Sequence, residues 1–311
     1  MADLEQGWVH SFNDMIRATY QQEKSLVAAN TPPQCRKSEK AAIVHFDRIG
    51  NVVANDNPGR HAPTRLITFA QSRRACFPVS SDAAVALTTI DEVRSLNNPQ
   101  SSMTQGMLAA LRRREDLHWI GAAVGSASVA TVGATGAITY TTQALFSANS
   151  YDATGGSTAI ILADIIKANT LLSKGGVPYG PSNRLAFYSP YQLTDILAIT
   201  QASSSDFTRN RIHDKGTING ETFEGFTWIE IADAVDPTGT LLHRMLPYAS
   251  SKRSCIFASR DAVGLNVNQD VQTDVGIRRD MNNEIQVRLD MTMGAVRIWE
   301  AGVVVMTARD V

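Results

Sequence analysis

Along residues 4–20, Leu4, Trp8, Phe12, Met15, Ile16 and Tyr20 recur every three or four positions, which predicts an amphipathic helix whose apolar stripe needs a covering surface. Residues 21–40 then turn polar, with Pro32 and Pro33 forbidding regular structure, so this stretch reads as an extended arm that tethers the helix. Residues 41–53 (Ile43, Val44, Phe46, Ile49, Val52, Val53) and 65–79 (Leu66, Ile67, Phe69, Phe77, Val79) favour two strands paired as a hairpin. The connection between them, residues 54–64, is rich in Asn, Asp, Gly and Pro and too long for a tight turn, which predicts a projecting tip. Neither strand alternates cleanly, because His45, Asp47 and Arg48 interrupt one and Gln71, Arg73 and Arg74 the other. An isolated hairpin is marginal in water, so one this mixed has to lean on something else.

Further along, Thr88 caps a short predicted helix ending near Leu96, and Asn97, Asn98 and Pro99 break it. Ser101 or Ser102 then starts the longest helical pattern, running through Met107, Leu111 and Ile120 to Val124, with Arg112 and Asp116 four apart on an outer face. Residues 125–142 are strand-like, with glycines marking turns. A second helix is expected over 160–172, stopped by Gly175 and Gly176. A short strand at 184–188 follows, then a helix opened by Ser189 and Pro190, and a turn-rich stretch that ends in residues 226–231. Residues 285–308 contain two strand-like runs divided at Gly294. Helices and strands interleaved this irregularly make a mixed α+β chain.

The 311 residues are enough for one large or two smaller domains, and an apolar fraction of 43% supplies a core. With 29 basic and 30 acidic residues the net charge is −1, which excludes gripping nucleic acid or anionic membrane by bulk charge. Residues 119–151 carry no charge, but Gly, Ala, Ser and Thr dominate them, so a bilayer span is not expected. Cys35, Cys76 and Cys255 lie far apart without a CxxC pair, which argues against a disulfide framework or zinc site. The first residues lack a basic start with an apolar core, so no secretory signal is expected and the protein is read as made in a cytoplasm.

Catalytic chemistry fixes residue types at tight spacing, and no phosphate-cradling glycine loop, HExxH or GxSxG is present. His213 with Asp214 is the nearest candidate dyad, but a polar loop before Gly216 explains it more simply. Glu221, Glu224, Glu230, Asp233 and Asp236 are too scattered for a calcium loop and read as solvated charges. Trp119, Trp228 and Trp299 read as core, because no basic cluster interleaves with them to make a base-stacking platform. No catalytic residue, cofactor or metal site is therefore expected.

The order of these elements resembles tailed-bacteriophage major capsid proteins with the Hong Kong 97-type fold. The residues that carry the likeness are AAIVHFDRIGNVVANDNPGRHAPTRLITFAQSRRACFPVSSDAAVALTTIDEVRSLNNPQSSMTQGMLAALRRREDLHWIGAAVG, then NRLAFYSPYQLTDIL with GTINGETFEGFTWIEI, and finally IQVRLDMTMGAVRIWEAGVVVM. The resemblance implies an N-terminal arm (1–40), an extended β-hairpin loop (41–80), a peripheral domain with a long spine helix (81–158 and 285–311) and an axial domain (159–284). It also implies self-assembly into pentamers and hexamers of an icosahedral shell around double-stranded DNA, contacted weakly and without sequence preference. Expected partners are a separate scaffolding protein, a portal protein and, as an open option, a decoration protein, with no membrane. The expected location is the virion, after assembly in the host cytoplasm.

Some members of that family join subunits through a loop lysine; residues 41–79 contain none, so no isopeptide is expected. The side chains expected at subunit boundaries are Trp8 and Phe12 of the helix and Arg48, Arg60, Arg73 and Arg74 of the hairpin, since charge on a needed strand face implies a partner carboxylate. Two alternatives stay open: an encapsulin-like nanocompartment shell, and a soluble hydrolase whose site assembles from distant residues.

Overall fold

The computed structural model describes residues 22–56, 59–60, 63–87, 100–133, 136–199, 217–235, 238, 240–280 and 284–310. The helix expected over 4–20, with Trp8 and Phe12, lies outside the described residues, as do the short helix near 88–96 and the pair His213 and Asp214.

In chain order the strands are β1 (Arg36–Lys37), β2 (Val44–Ile49), β3 (Gln71–Cys76), β4 (Val79–Leu87), β5 (Ala127–Val132), β6 (Ile138–Gln143), β7 (Ser150–Asp152) and β8 (Arg184–Tyr188). They continue as β9 (Thr222–Phe223), β10 (Phe226–Glu230), β11 (Ala234–Val235), β12 (Leu241–His243), β13 (Tyr248–Ala249), β14 (Lys252–Ser259), β15 (Val263–Arg278), β16 (Glu284–Arg297) and β17 (Val303–Arg309). The helices among the described residues are α1 (Gln100–Val124), α2 (Leu162–Lys174) and α3 (Pro190–Leu197).

The largest sheet has the order β7-β17-β14-β8-β10-β9, with β13 on β14. Its two faces follow from the strand period of two. Ala186, Tyr188, Cys255, Phe257, Val304 and Met306 join the core under α2 and α3. Their neighbours Leu185, Phe187, Ile256, Ala258, Val303 and Val305 join a second core with Trp119, Ile120 and Ala123 from the end of α1. Buried on both faces, these strands read as continuous apolar runs. The sheet β1-β15-β16-β4 lies under the first half of α1, where Met107 and Leu111 meet Val287, Leu289, Met291 and Met293. At about 1.5 Å per residue the helix spans roughly 37 Å, so one rigid element ties two sheets together.

Several expectations hold closely. The helix of 160–172 appears as α2, β8 occupies the expected positions, and α3 begins at Pro190, where the Ser189 N–H donates to Gln192 Oε1 at 3.1 Å. Others are corrected. Gly294 does not divide two strands: β16 runs through it and the break falls at the turn Glu300–Gly302. The glycine serves packing instead, because a Cβ there would stand 2.7 Å from Cys76 Sγ. Asp116 is fully buried and not on an outer face, while Arg112 pairs with Glu115 at 3.1 Å and Asp270 at 3.3 Å. Trp119 and Trp228 are core, but Trp299 is 40% exposed. The strands β14 and β15, 8 and 16 residues long, occupy a stretch for which the sequence pattern predicts no element. No described helix is long and apolar enough to cross a membrane; the uncharged stretch is divided among the end of α1, the strands β5 and β6, and the turn that leads into β7.

Candidate assembly surface

Residues 22–40 are not a free tether. A single carboxylate, Asp116 on α1, collects them: its Oδ1 accepts from Ser25 Oγ (2.7 Å), Val27 N (2.9 Å) and Ala28 N (3.0 Å), its Oδ2 from Leu26 N (2.9 Å) and Gln22 Nε2 (2.5 Å). Val27 and Ala28 sink into the core beside Trp119, whose Nε1 donates to Thr31 Oγ1 at 3.0 Å. Beyond the prolines, β1 runs parallel to β15. Proline does end regular structure here, in two single 3-10 turns, yet the arm is stitched to its own body.

The hairpin pairs as expected, from Val44 opposite Cys76 to Ile49 opposite Gln71, but its strands are shorter. A last rung joins Gly50 N to Ala70 O at 2.7 Å. Past it, the described residues of 51–70 belong to no strand, and all are exposed, Val53 at 86% and Leu66 at 94%. What the hairpin leans on is its own chain, since β3 pairs with β5 in the sheet β2-β3-β5-β6.

The base of the loop is locked by charge. Glu300, on the turn between β16 and β17, is buried and meets Arg48 of β2 at 2.6 Å and Arg74 of β3 at 2.5 Å. Arg48 also donates to Ile298 O at 2.8 Å and stacks over the Trp299 ring, 5.4 Å from its centroid. Arg74, fully buried, donates to Gln143 Oε1 at 2.8 Å, and burial pushes its guanidinium down from the usual range. Arg297 donates to Ala123 O at 2.8 Å and Gln143 O at 3.1 Å, binding the negative end of α1 to β6. Four parts of the chain thus meet at one junction. Arg73 instead makes an exposed bidentate pair with Asp47, with Nη2 to Oδ2 at 3.0 Å, and that hydrogen bond holds the Asp47 carboxyl below its ordinary range. Arg60 is exposed on the loop.

Each of Arg48, Arg73 and Arg74 therefore has a carboxylate in its own chain, and the reason for placing them at a subunit boundary, an absent partner acid, falls away. Asp116, expected on an outer face, is instead the buried anchor of the arm, while Glu300, Arg297 and Gln143 follow no local pattern that marks them as a junction. The one available signal was an acid set inside the apolar run IWEAGVVV, where a charge is buried only if paired.

No described group of three or more His, Cys, Asp or Glu could hold a metal ion. Two of the acids expected to be solvated have partners in the chain instead: Asp233, its side chain 5% exposed, takes Arg253 at 2.7 Å, and Glu230 accepts from Tyr188 Oη at 3.1 Å. The three cysteines are free and buried, and burial pushes the Cys35 thiol up to about 11 and Cys76 to about 12.

A sequence profile of the family described as phage capsid protein matches residues 4–309. The chain belongs to that family. No curated protein sequence matches this capsid protein. Its fold is similar to solved capsid structures. One is the capsid of Helicobacter pylori bacteriophage KHP30, described as acid-stable, with a TM-score of 0.71 at 9% identity, covering 100% of this chain and 98% of the other. A Mycobacterium phage Che8 structure gives 0.68 at 13% identity, covering 98% of each chain. The capsid of Ralstonia phage GP4 gives 0.67 at 11% identity, covering 97% of this chain and 95% of that one. At these identities the likeness establishes the α+β fold, while the family establishes a structural protein of the phage capsid.

Proposed function

We propose that copies of this capsid protein assemble into pentamers and hexamers of an icosahedral shell enclosing the double-stranded DNA of a tailed phage, and that the chain catalyses no reaction. The observation that carries this reading is that the described residues of 51–70 are all exposed beyond a charge-locked base, with Val53 and Leu66 almost wholly uncovered. Apolar surface of that kind marks an interaction site. Head-to-tail contacts close into rings when the rotation permits, which supports ring-shaped capsomers. Near-neutral charge, −1 over the chain, suits a wall along which packaged DNA has to move.

Within that reading, residues 1–40 act as arm, 41–80 as extended loop, 81–158 with 285–311 as peripheral domain and 159–284 as axial domain, in the Hong Kong 97 manner. Trp8, Phe12 and Arg60 are our proposed boundary residues, while Arg48 and Arg74 serve the internal junction and Arg73 its pair with Asp47. Scaffolding, portal and decoration proteins are the partner classes such a shell would use in the host cytoplasm. Electron microscopy of the purified chain, concentrated and crowded, tests the proposal. Curved or closed shells many times wider than one subunit are expected. A protein that stays monomeric throughout would overturn the reading.

A further inference from the structure

Strand β6 ends its sheet, and among the described residues its outer edge carries no partner strand. Its sequence, ITYTTQ, is rich in β-branched residues, uncharged and exposed along nearly its whole length. Proteins guard such edges with lysine, proline, a bulge or inward-pointing charge. None of these is present in β6, whose register with β5 is unbroken from Ala127↔Gln143 to Val132↔Ile138. The opposite edge of the same sheet, β2, is guarded by His45, Asp47 and Arg48.

One exposed segment of this chain has the matching chemistry. Residues 66–70 read LITFA, carry no charge, favour a strand and, short of the Ala70 carbonyl, pair with no strand among the described residues, with Phe69 at 52% and Leu66 at 94% exposure. The fold prevents this segment from reaching β6 of its own sheet. Through Arg73↔Ala130↔Tyr140, β6 runs parallel to β3 and its first residue, Ile138, stands level with Gln71. The segment precedes Gln71, so it runs out beyond that end of the sheet. To turn back along β6 it would have to reverse at Ala70, whose carbonyl is already bound by Gly50 N–H.

Resting on the shell reading, we infer that residues 66–70 of one copy add as a fifth strand to the β6 edge of a neighbouring copy. The backbone ladder supplies affinity and the alternating side chains supply register. The added strand would place residues of one parity beside Ile138 and Tyr140 and those of the other beside Thr139 and Thr141.

The test is a cysteine scan in assembled particles. Thr141→Cys is combined in turn with Leu66→Cys, Ile67→Cys, Thr68→Cys or Phe69→Cys, and the particles are oxidised and run on denaturing gels. The native thiols are buried and silent. Covalent ladders are expected for two positions of the same parity and not for the other two. Particles that form but give no ladder, ladders from all four positions alike, or cross-links within one chain would each overturn the strand addition while leaving the shell reading intact. Failure of the unmodified protein to form any particle would remove both. In the unmodified protein, amide exchange at 66–70 and 139–143 should slow at least about tenfold on assembly; unchanged exchange at both would equally overturn it.

Discussion

Replacing Asp116 by alanine should release the arm without unfolding the body. The carboxylate accepts five hydrogen bonds from residues 22–28, three of them from backbone N–H groups. A hydrogen bond to a charged group contributes about 1.5–3 kcal/mol, and a buried donor left unmade costs about 1–3 kcal/mol. Val27 N and Ala28 N are the two donors in fully buried residues, so the variant would lose on the order of 4–6 kcal/mol of arm docking, with non-additivity trimming the sum. Against this stand the apolar contacts of Val27, worth about 1.5–3 kcal/mol, and the smaller contribution of Ala28. The remaining contacts cannot hold the segment, but the cores under α2, α3 and the large sheet do not depend on it. Local opening is therefore the cheaper route. Amide exchange should accelerate by two or more orders of magnitude over residues 22–35, with protection of β8 and β14 retained. Asp116→Asn, which keeps an acceptor for Val27 and Ala28 but turns a donor towards Leu26, should fall between. If protection of 22–35 were unchanged in Asp116→Ala, the carboxylate would not be what fastens the arm.

Glu300→Ala leaves two arginines without their buried counter-charge and should cost about 3–5 kcal/mol, read as a lower urea midpoint; the isosteric Glu300→Gln should cost less. Gly294→Ala sets a methyl 2.7 Å from Cys76 Sγ and 3.0 Å from Phe77 O, so an overpacking penalty of about 1–3 kcal/mol is expected in the same assay. Burial first, and then the Arg114 charge, pull the His118 imidazole below its usual range. The unfolded chain therefore takes up that proton before the folded one, and stability falls as pH drops through about 6.5 until the folded group also titrates. His118→Gln should flatten that part of the stability profile; an unchanged slope would show that other groups set it.

What was legible in the sequence was what local chemistry decides. The start of α3 is written in Ser189, Pro190 and Gln192 within one turn, and the stop of α2 in Gly175, where a Cβ would stand 2.8 Å from Ala301 Cβ. The pairing of β2 with β3 follows from two strand-prone runs adjacent in sequence. The junction is a different kind of fact. Arg48 and Glu300 lie 252 positions apart, Val27 and Asp116 89, and no local pattern says which acid answers which base. The irregular alternation of the hairpin was visible, but the reason assigned to it was a neighbouring subunit when the partner lay within the chain. Gly294 misled in the same way, because a glycine that admits a close sulfur and one that turns a chain look alike in one dimension.

The internal fastening of the arm and of the loop base sharpens the case for assembly. Ordering a flexible segment at an interface opposes binding, by about 1–2 kcal/mol for each residue whose backbone is fixed. In this chain Asp116 holds residues 22–28 and Glu300 holds both strands of the hairpin before any neighbour arrives. Beyond Gly50 and Ala70 the described loop residues belong to no strand, and it is there that Val53, Leu66 and Phe69 are uncovered. With both strands of its base already held, less of the gain from burying these side chains is offset by ordering the chain. Loosening that base should therefore weaken assembly even though none of its charged groups needs to touch another copy. Glu300→Gln shells, if they form, should dissociate at lower denaturant than unmodified shells by more than the folding midpoint of the free subunit shifts. Equal shifts would mean that the junction serves folding alone.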